Sequence, residues 1–329
     1  MIGPEQLAAG QRAETAGDYI GAAAAYRAVI DVPDVRLAAE AHFCLARVSW
    51  RQSRFDAALH SFESARSLAE RLGDEELCAR VDNGIGAVHY AGGDYASARR
   101  AYGAAQARTS DAGMRGKILL NLGVIANIEG DFASAQDHYD RAIALFEASG
   151  DSASAMLALH NRGMVEADLE EWDKADASFL AALAIAADRG EREMVAKSLV
   201  NRSEVLVERG LLTEAVEHCD RALKIYADIG DEVGRGEALR WRAHSLGRMG
   251  DYSEAERGAT EALRIAVRCG ARLLEAEAAR EVGVLRRQRG DQAGSDKQLR
   301  RALALFSELG ARRDATDVAD LLGDPSLGS

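Results

Sequence analysis

The sequence predicts an all-α chain of eight consecutive helical hairpins, and three observations lead there. Prolines number only three (Pro4, Pro33 and Pro325), all near the ends, so the interior is almost free of the residue that breaks helices. Apolar residues make up 47% of the chain but aromatics only 5%, which leaves the apolar share to Ala, Leu, Val and Ile, the side chains of closely packed helices. A turn ending in a large residue recurs as GDY, SRF, GDY, GDF, EEW, GLL, GDY and GDQ, placing Tyr19, Phe55, Tyr95, Phe132, Trp172, Leu212, Tyr252 and Gln292 at steps of 36, 40, 37, 40, 40, 40 and 40 residues. A fixed period of roughly 20 to 50 residues marks stacked supersecondary units.

Within each unit, nine residues before the turn residue stand Gly10, Ala46, Gly86, Gly123, Gly163, Ser203, Ala243 and Gly283. Three after it come Ala22, Ala58, Ala98, Ala135, Ala175, Ala215, Ala255 and Ser295, and ten after it Val29, Ala65, Ala105, Ala142, Ala182, Ala222, Ala262 and Ala302. Small side chains at fixed offsets let two antiparallel helices approach closely. Ala135, Tyr139, Ala142 and Ile143 then share one face of a second helix, and the rings of Tyr26, Phe62, Tyr102, Tyr139 and Phe179 fill the space beside the small residues. Gly73, Gly150, Gly190, Gly230, Gly270 and Gly310 supply left-handed C-caps that close the units. The first unit has a short first helix and a step through Asp31-Val32-Pro33, and the last carries Gln292 and Ser295 where an aromatic and Ala belong, as terminal repeats do. The array therefore spans 1–310. Val318, Leu321 and Leu322 on one face predict a capping helix over 311–323, and 324–329 is expected to be a disordered, frayed tail.

Carried by Gly123, the Gly130-Asp131-Phe132 turn, Ala135, Tyr139 and Ala142 and repeated eight times, this pattern resembles the tetratricopeptide repeat (TPR) family over essentially the whole chain. The 40-residue steps exceed the family's unit of about 34 and are similar to the longer-helix variety in kinesin light chains, Leu-Gly-Asn repeat adaptors, bacterial peptide-sensing regulators and large bacterial transcription activators. HEAT repeats share the length but not this turn or these alanine columns. The resemblance implies a right-handed superhelical solenoid whose first helices line a concave groove where partners bind.

With that register, the lining positions 15, 12, 8, 5 and 4 residues before each turn residue hold nine basic residues, Arg47, Arg51, Arg80, Lys117, Lys197, Arg240, Arg248, Arg280 and Arg287. Seven acidic ones join them: Glu14, Glu40, Asp168, Glu204, Glu208, Glu237 and Glu277. A slight basic surplus inside a chain of net charge -12 favours a partner that is acidic or carries a free carboxylate; the alternative is that these charges pair across neighbouring helices. Eleven before the turn, Asn121, Asn161 and Asn201 form a column of amides able to donate to and accept from an extended peptide backbone, or to bond an adjacent helix instead. Asn83 and Asn127 extend the polar track. The next column, where the family expects Leu, holds Arg162, Arg202 and Arg242, which either receive an anion or snorkel to carboxylates such as Glu166. Lining aromatics are Phe43, Trp50, Tyr90 and Trp241; Trp50 and Tyr90 share a register position in adjacent units and are expected to be neighbours.

His160 and His244 with Glu204, Asp168 and Glu208 are the one group suited to acid-base chemistry. No HExxH, GxSxG, phosphate loop or Cys/His nucleophile pair is present, so neither catalytic residues, a cofactor nor a metal site is expected. Cys44, Cys78, Cys219 and Cys269 are scattered and read as reduced, mostly buried thiols. The acidic balance disfavours nucleic acid and anionic membrane, no apolar run approaches the roughly 20 residues of a membrane span, and MIGPEQLAAG is unlike a signal peptide, so a cytoplasmic protein is expected. These features together favour a non-catalytic protein- or peptide-binding adaptor or scaffold. The alternatives are a ligand- or peptide-sensing module of a signalling or transcription system, and an enzyme built on the array.

Overall fold

The computed structural model describes residues 2–323, which form seventeen α-helices with no strand among the described residues. In chain order these are α1 (Ile2–Thr15), α2 (Tyr19–Arg27), α3 (Val35–Arg51), α4 (Phe55–Leu72), α5 (Glu75–Ala91), α6 (Tyr95–Arg108), α7 (Ala112–Ile128), α8 (Phe132–Ser149) and α9 (Ser152–Asp168). They continue as α10 (Trp172–Arg189), α11 (Arg192–Glu208), α12 (Leu212–Ile229), α13 (Glu232–Arg248), α14 (Tyr252–Cys269), α15 (Arg272–Gln288), α16 (Gln292–Leu309) and α17 (Arg312–Leu322). Odd-numbered helices through α15 open each hairpin and even-numbered ones close it. The single helix α17 follows α16 where a capping helix was expected, and the tail 324–329 lies outside the described residues. The chain divides into two compact units, 1–158 and 159–329, the division falling inside α9.

Every second helix begins on its predicted turn residue, because the turn is built from two local devices. Asp18, Asp94, Asp131, Asp251 and Asp291 accept from the backbone N–H three residues on at 2.8–3.2 Å, satisfying a donor that the first helical turn leaves unpaired. The residue before this cap is left-handed, with φ of 76–89° at Gly17, Gly93, Gly130, Gly210, Gly250 and Gly290. Where glycine is missing, Ser53 and Glu170 hold φ of 56° and 60°, a region costing an L-residue about 1–2 kcal/mol. The 37-residue step has its own cause: α6 has 14 residues where α8 has 18, and it ends at an extended Thr109 whose buried hydroxyl donates to Glu76 at 2.9 Å.

In the first five hairpins the residue sixteen positions after the small residue of the first helix is a ring, Tyr26, Phe62, Tyr102, Tyr139 or Phe179; the seventh and eighth hairpins have Ala259 and Leu299 there. A Cβ on Gly123 would stand 2.6 Å from Tyr139 Cε1, and one on Gly163 2.8 Å from Phe179 Cε1, so neither ring leaves room for a larger residue. Burying such a ring removes roughly 150–250 Å² from water, about 4–6 kcal/mol of transfer free energy. The sixth hairpin replaces this pair by Ser203 and Cys219, whose thiol donates to the Ser203 hydroxyl at 3.3 Å. Ala135, Ala175, Ala215 and Ala255 are wholly buried, as the register requires. Of the four free cysteines only Cys269 is exposed.

Glu170→Gly should relieve a left-handed non-glycine residue and, after allowing for the freedom glycine gains in the unfolded chain, stabilise the protein by about 1 kcal/mol. Ala175→Leu should destabilise it by roughly 1–3 kcal/mol through overpacking. Urea titrations followed by circular dichroism measure both; equal midpoints for all three proteins would contradict the hairpin register.

Candidate functional site: the inner face of the second unit

The face formed by the odd-numbered helices carries the predicted lining, and in the first unit most of its charge is internally matched. Arg47 donates to Glu14 from Nε at 2.8 Å and Nη2 at 2.7 Å, Arg51 lies 3.6 Å from the same carboxylate, and Tyr26 OH donates to it at 3.0 Å. Burial works to raise the Glu14 carboxyl, but the hydrogen bonds and charge of Arg47 outweigh it and hold the group below its usual range. Arg80 donates to Glu40 at 2.8 Å and sits 4.3 Å over the Phe43 ring. Lys117 is exposed and has no ion pair among the described residues. Trp50 packs against the core around α3 and α4, and Tyr90 meets Tyr95 at 5.8 Å. Asn121 and Asn127 are half-buried, and Asn83 has a buried Oδ1 with no hydrogen-bond partner.

The second unit differs. His160 on α9 is 7% exposed, meets Ser198 Oγ at 3.4 Å and Asn201 Nδ2 at 3.3 Å, and stands edge-on to Phe179 at 5.6 Å. Burial, aided by the charge of Lys197, pushes its imidazole down to about 4, so it is neutral. Asn201 is therefore committed to a neighbouring helix, while Asn161 is half-buried with no hydrogen-bond partner among the described residues. His244 pairs with Glu281 at 3.1 Å and stands edge-on to Trp241. The expected acid-base group of His160, His244 and Glu204 is thus split: each histidine is held by a residue other than Glu204. Lys197 pairs with Glu193 at 2.7 Å, Arg248 lies 3.7 Å from Glu208, and Arg280 donates to Asp314 at 3.0 Å. Arg287 donates to the Leu321 carbonyl.

Two cavities of about 450 and 630 Å³ open on this face, and Arg240, Trp241, Arg280 and Asp317 line both. Arg240 is 9% exposed, lies 4.5 Å over the Trp241 ring and 3.4 Å from Glu277, and its Nε has no hydrogen-bond partner. The smaller cavity is lined by six carboxylates (Asp168, Glu170, Glu204, Glu277, Asp314 and Asp317) against three guanidiniums (Arg240, Arg280 and Arg313). Burial pushes the Glu204 carboxyl up to about 7; Arg240 opposes this, and Asp168, Glu277 and Glu208 reinforce it. Burial also raises Asp168, against the opposing charge of Arg313, and raises Glu237. In place of the basic lining expected at this end of the chain, carboxylates outnumber guanidiniums around this cavity, because α17 contributes Asp314 and Asp317. Extending the Glu237–Glu277 column by one more 40-residue step reaches Asp317, the signal that would have revealed the acidic wall.

Arg162, Arg202 and Arg242 reach carboxylates and hydroxyls on or toward the second helices. Arg162 lies 3.4 Å from Glu166 and donates to Ser178 at 3.1 Å, and Ser178 in turn donates to Glu166 at 2.5 Å. Arg202 donates to the buried Asp176, which also accepts from Arg209 at 2.6 Å. Arg242 bridges Asp220 at 2.7 Å and Glu254 at 3.1 Å. The column is a set of snorkelling ion pairs, and the anion-receiving alternative has no place in it. Among the described residues no group of His, Cys, Asp and Glu could hold a metal ion.

Comparison with known proteins agrees with this architecture. Residues 115–188 and 154–228 match the family described as Tetratricopeptide repeat, and 4–127 the one described as Tetratricopeptide repeat-like domain. A solved Rap protein complexed with competence and sporulation factor is 14% identical, with 97% of this chain and 96% of that chain covered at a TM-score of 0.62. The apo form of RapI is 15% identical over 76% of this chain and 93% of its own, at 0.65. A signal-transduction ATPase with a tetratricopeptide repeat sensor from Pyrococcus horikoshii is 14% identical over 93% of this chain and 48% of its own, at 0.71. No curated protein matches the sequence.

Arg202→Met should destabilise the protein by roughly 3 kcal/mol, since it leaves Asp176 buried with half its partners, and urea titration measures it. Glu204 supplies a pH signature. Its folded value exceeds the ordinary 4.5, so between about pH 4.5 and 7 the folded state keeps a proton that the unfolded state has lost, and stability falls as pH rises through that window. His160, lowered from 6.5, acts oppositely below pH 6.5, but it is common to both proteins in a wild-type versus Glu204→Gln comparison. The variant should raise the urea midpoint at pH 8 and change it little at pH 5; a pH-independent difference would contradict the burial of the Glu204 charge.

Proposed function

We propose that this chain, which belongs to the tetratricopeptide repeat family, is a non-catalytic adaptor or scaffold that binds a peptide or protein segment along the inner face of its odd-numbered helices. The observation that carries the reading is the second-unit inner face, where two cavities share a buried arginine stacked on Trp241. A wall of ionisable groups kept partly out of water without full pairing is costly unless a guest completes it. Asn161, its amide unspent, is the member of the asparagine column suited to hold a guest backbone.

A second reading, a peptide- or ligand-sensing module of a signalling or transcription system, is supported by the near-complete overlap in both directions with the Rap structure that holds competence and sporulation factor. Fold likeness at this identity carries no site, so it supports a class of role and not a ligand. The enzyme reading has less support, since His160 meets Asn201 and His244 pairs with Glu281. No helix among the described residues is long and apolar enough to cross a membrane.

Selection of peptides from a displayed library on the immobilised protein tests the binding role. Asn161→Ala should weaken the selected peptides by roughly 1–3 kcal/mol at unchanged thermal stability. Asn201→Ala should lower the melting temperature because it strips the partner from His160. Lost stability for Asn161→Ala with full binding would make that residue structural too, and a library yielding no binders would count against the adaptor and peptide-sensor readings together.

A further inference from the structure

We infer that the second-unit cavity receives a lysine or arginine side chain of the bound segment, seated among Asp168, Glu204 and Asp317, with Arg240 donating to a backbone carbonyl of the same segment. The inference rests on the peptide-binding reading above and adds the chemistry of the residue recognised.

The carboxylates of this wall fall into two groups. Glu277 lies 3.4 Å from Arg240 and Asp314 accepts from Arg280 at 3.0 Å, so these two are matched. The other four make no ion pair among the described residues: Glu170, which follows α9 and shares the 450 Å³ cavity with the likewise unpaired Arg313, and the three carboxylates Asp168, Glu204 and Asp317. These last three come from α9, α11 and α17, so the unmatched negative charge surrounds the space from three elements. A cation placed there relieves the burial that holds the Glu204 carboxyl up.

The kind of cation follows from two further observations. Among the described residues these carboxylates are not grouped so as to hold a metal ion, which favours the charged end of a long side chain, a lysine ammonium or an arginine guanidinium. Arg240 is nine-tenths buried at the shared wall of both cavities; its Nε lies 3.4 Å from Glu277, but the guanidinium donates no hydrogen bond among the described residues. A guest that also brings a hydrogen-bond acceptor satisfies the wall. A polyamine has cations but no acceptor; a peptide carries a carbonyl on either side of every lysine or arginine. The adjoining 630 Å³ cavity, running past Trp241 toward Leu321, gives the flanking residues room.

The experiment uses the full chain and a positional-scanning library of acetylated, amidated octapeptides in which one position is fixed as Arg, Lys, Glu, Asp or Ala. The Arg and Lys sublibraries should be retained about tenfold more strongly than the Glu and Asp ones at low salt. Asp317→Asn, a change on an exposed helix face, and Glu204→Gln should each cut that preference severalfold while the protein keeps its helical circular dichroism. Preference for acidic residues, no charge preference, or a basic preference that survives both substitutions would overturn the inference while leaving peptide binding intact. Retention of no sublibrary would overturn the peptide-binding reading and this inference with it.

Discussion

Everything in this molecule depends on the approach of a small residue in one helix to a side chain sixteen positions later in the next. Gly123 against Tyr139 and Gly163 against Phe179 leave no space for a Cβ, so the pairs set how closely and in what register each hairpin closes. A hairpin closed in this way still presents apolar surface on its flanks, and only another hairpin can cover it. Stacking then brings positions about forty residues apart in sequence side by side. The pairs Arg80–Glu40, Asn201–His160 and Arg280–Asp314 are consequences of that one packing constraint.

The same stacking divides the charges into two populations. Arginines on the side toward the second helices, such as Arg202 and Arg242, find carboxylates within their own or the preceding hairpin and become structure. Most inner-face arginines also find partners, so the chemistry of this face is set by the groups left over. In the second unit these are mostly carboxylates, because α17 adds Asp317 and Asp320 to walls where Asp168 and Glu204 also make no ion pair. The helix α17, which packs on the core of the last hairpins, thereby also adds negative charge to these walls.

Much of the fold was legible in the residues, since it is written in local chemistry. A left-handed residue followed by an N-cap and a large side chain needs no knowledge of distant contacts, and all eight second helices begin where that turn places them. The site was legible only in part. Arg240, Trp241, His244 and Arg280 do line the cavities, but the residues alone did not decide between the two roles open to Asn201, which meets His160, nor place Asp314 and Asp317 in the cavity wall. Both concern which side chain meets which.

The sequence by itself determined the helices, their turns, the hairpin register and the set of side chains that share the inner face, because period, caps and small-residue columns act over a few residues or one repeat. The tertiary structure alone decided which of those side chains remain unsatisfied. Whether an arginine is a ligand site or half of an ion pair depends on a partner about a full repeat away, and on burial strong enough to hold Glu204 near 7. Such properties belong to the packed array, where distance and exclusion of water fix the energy of a charge.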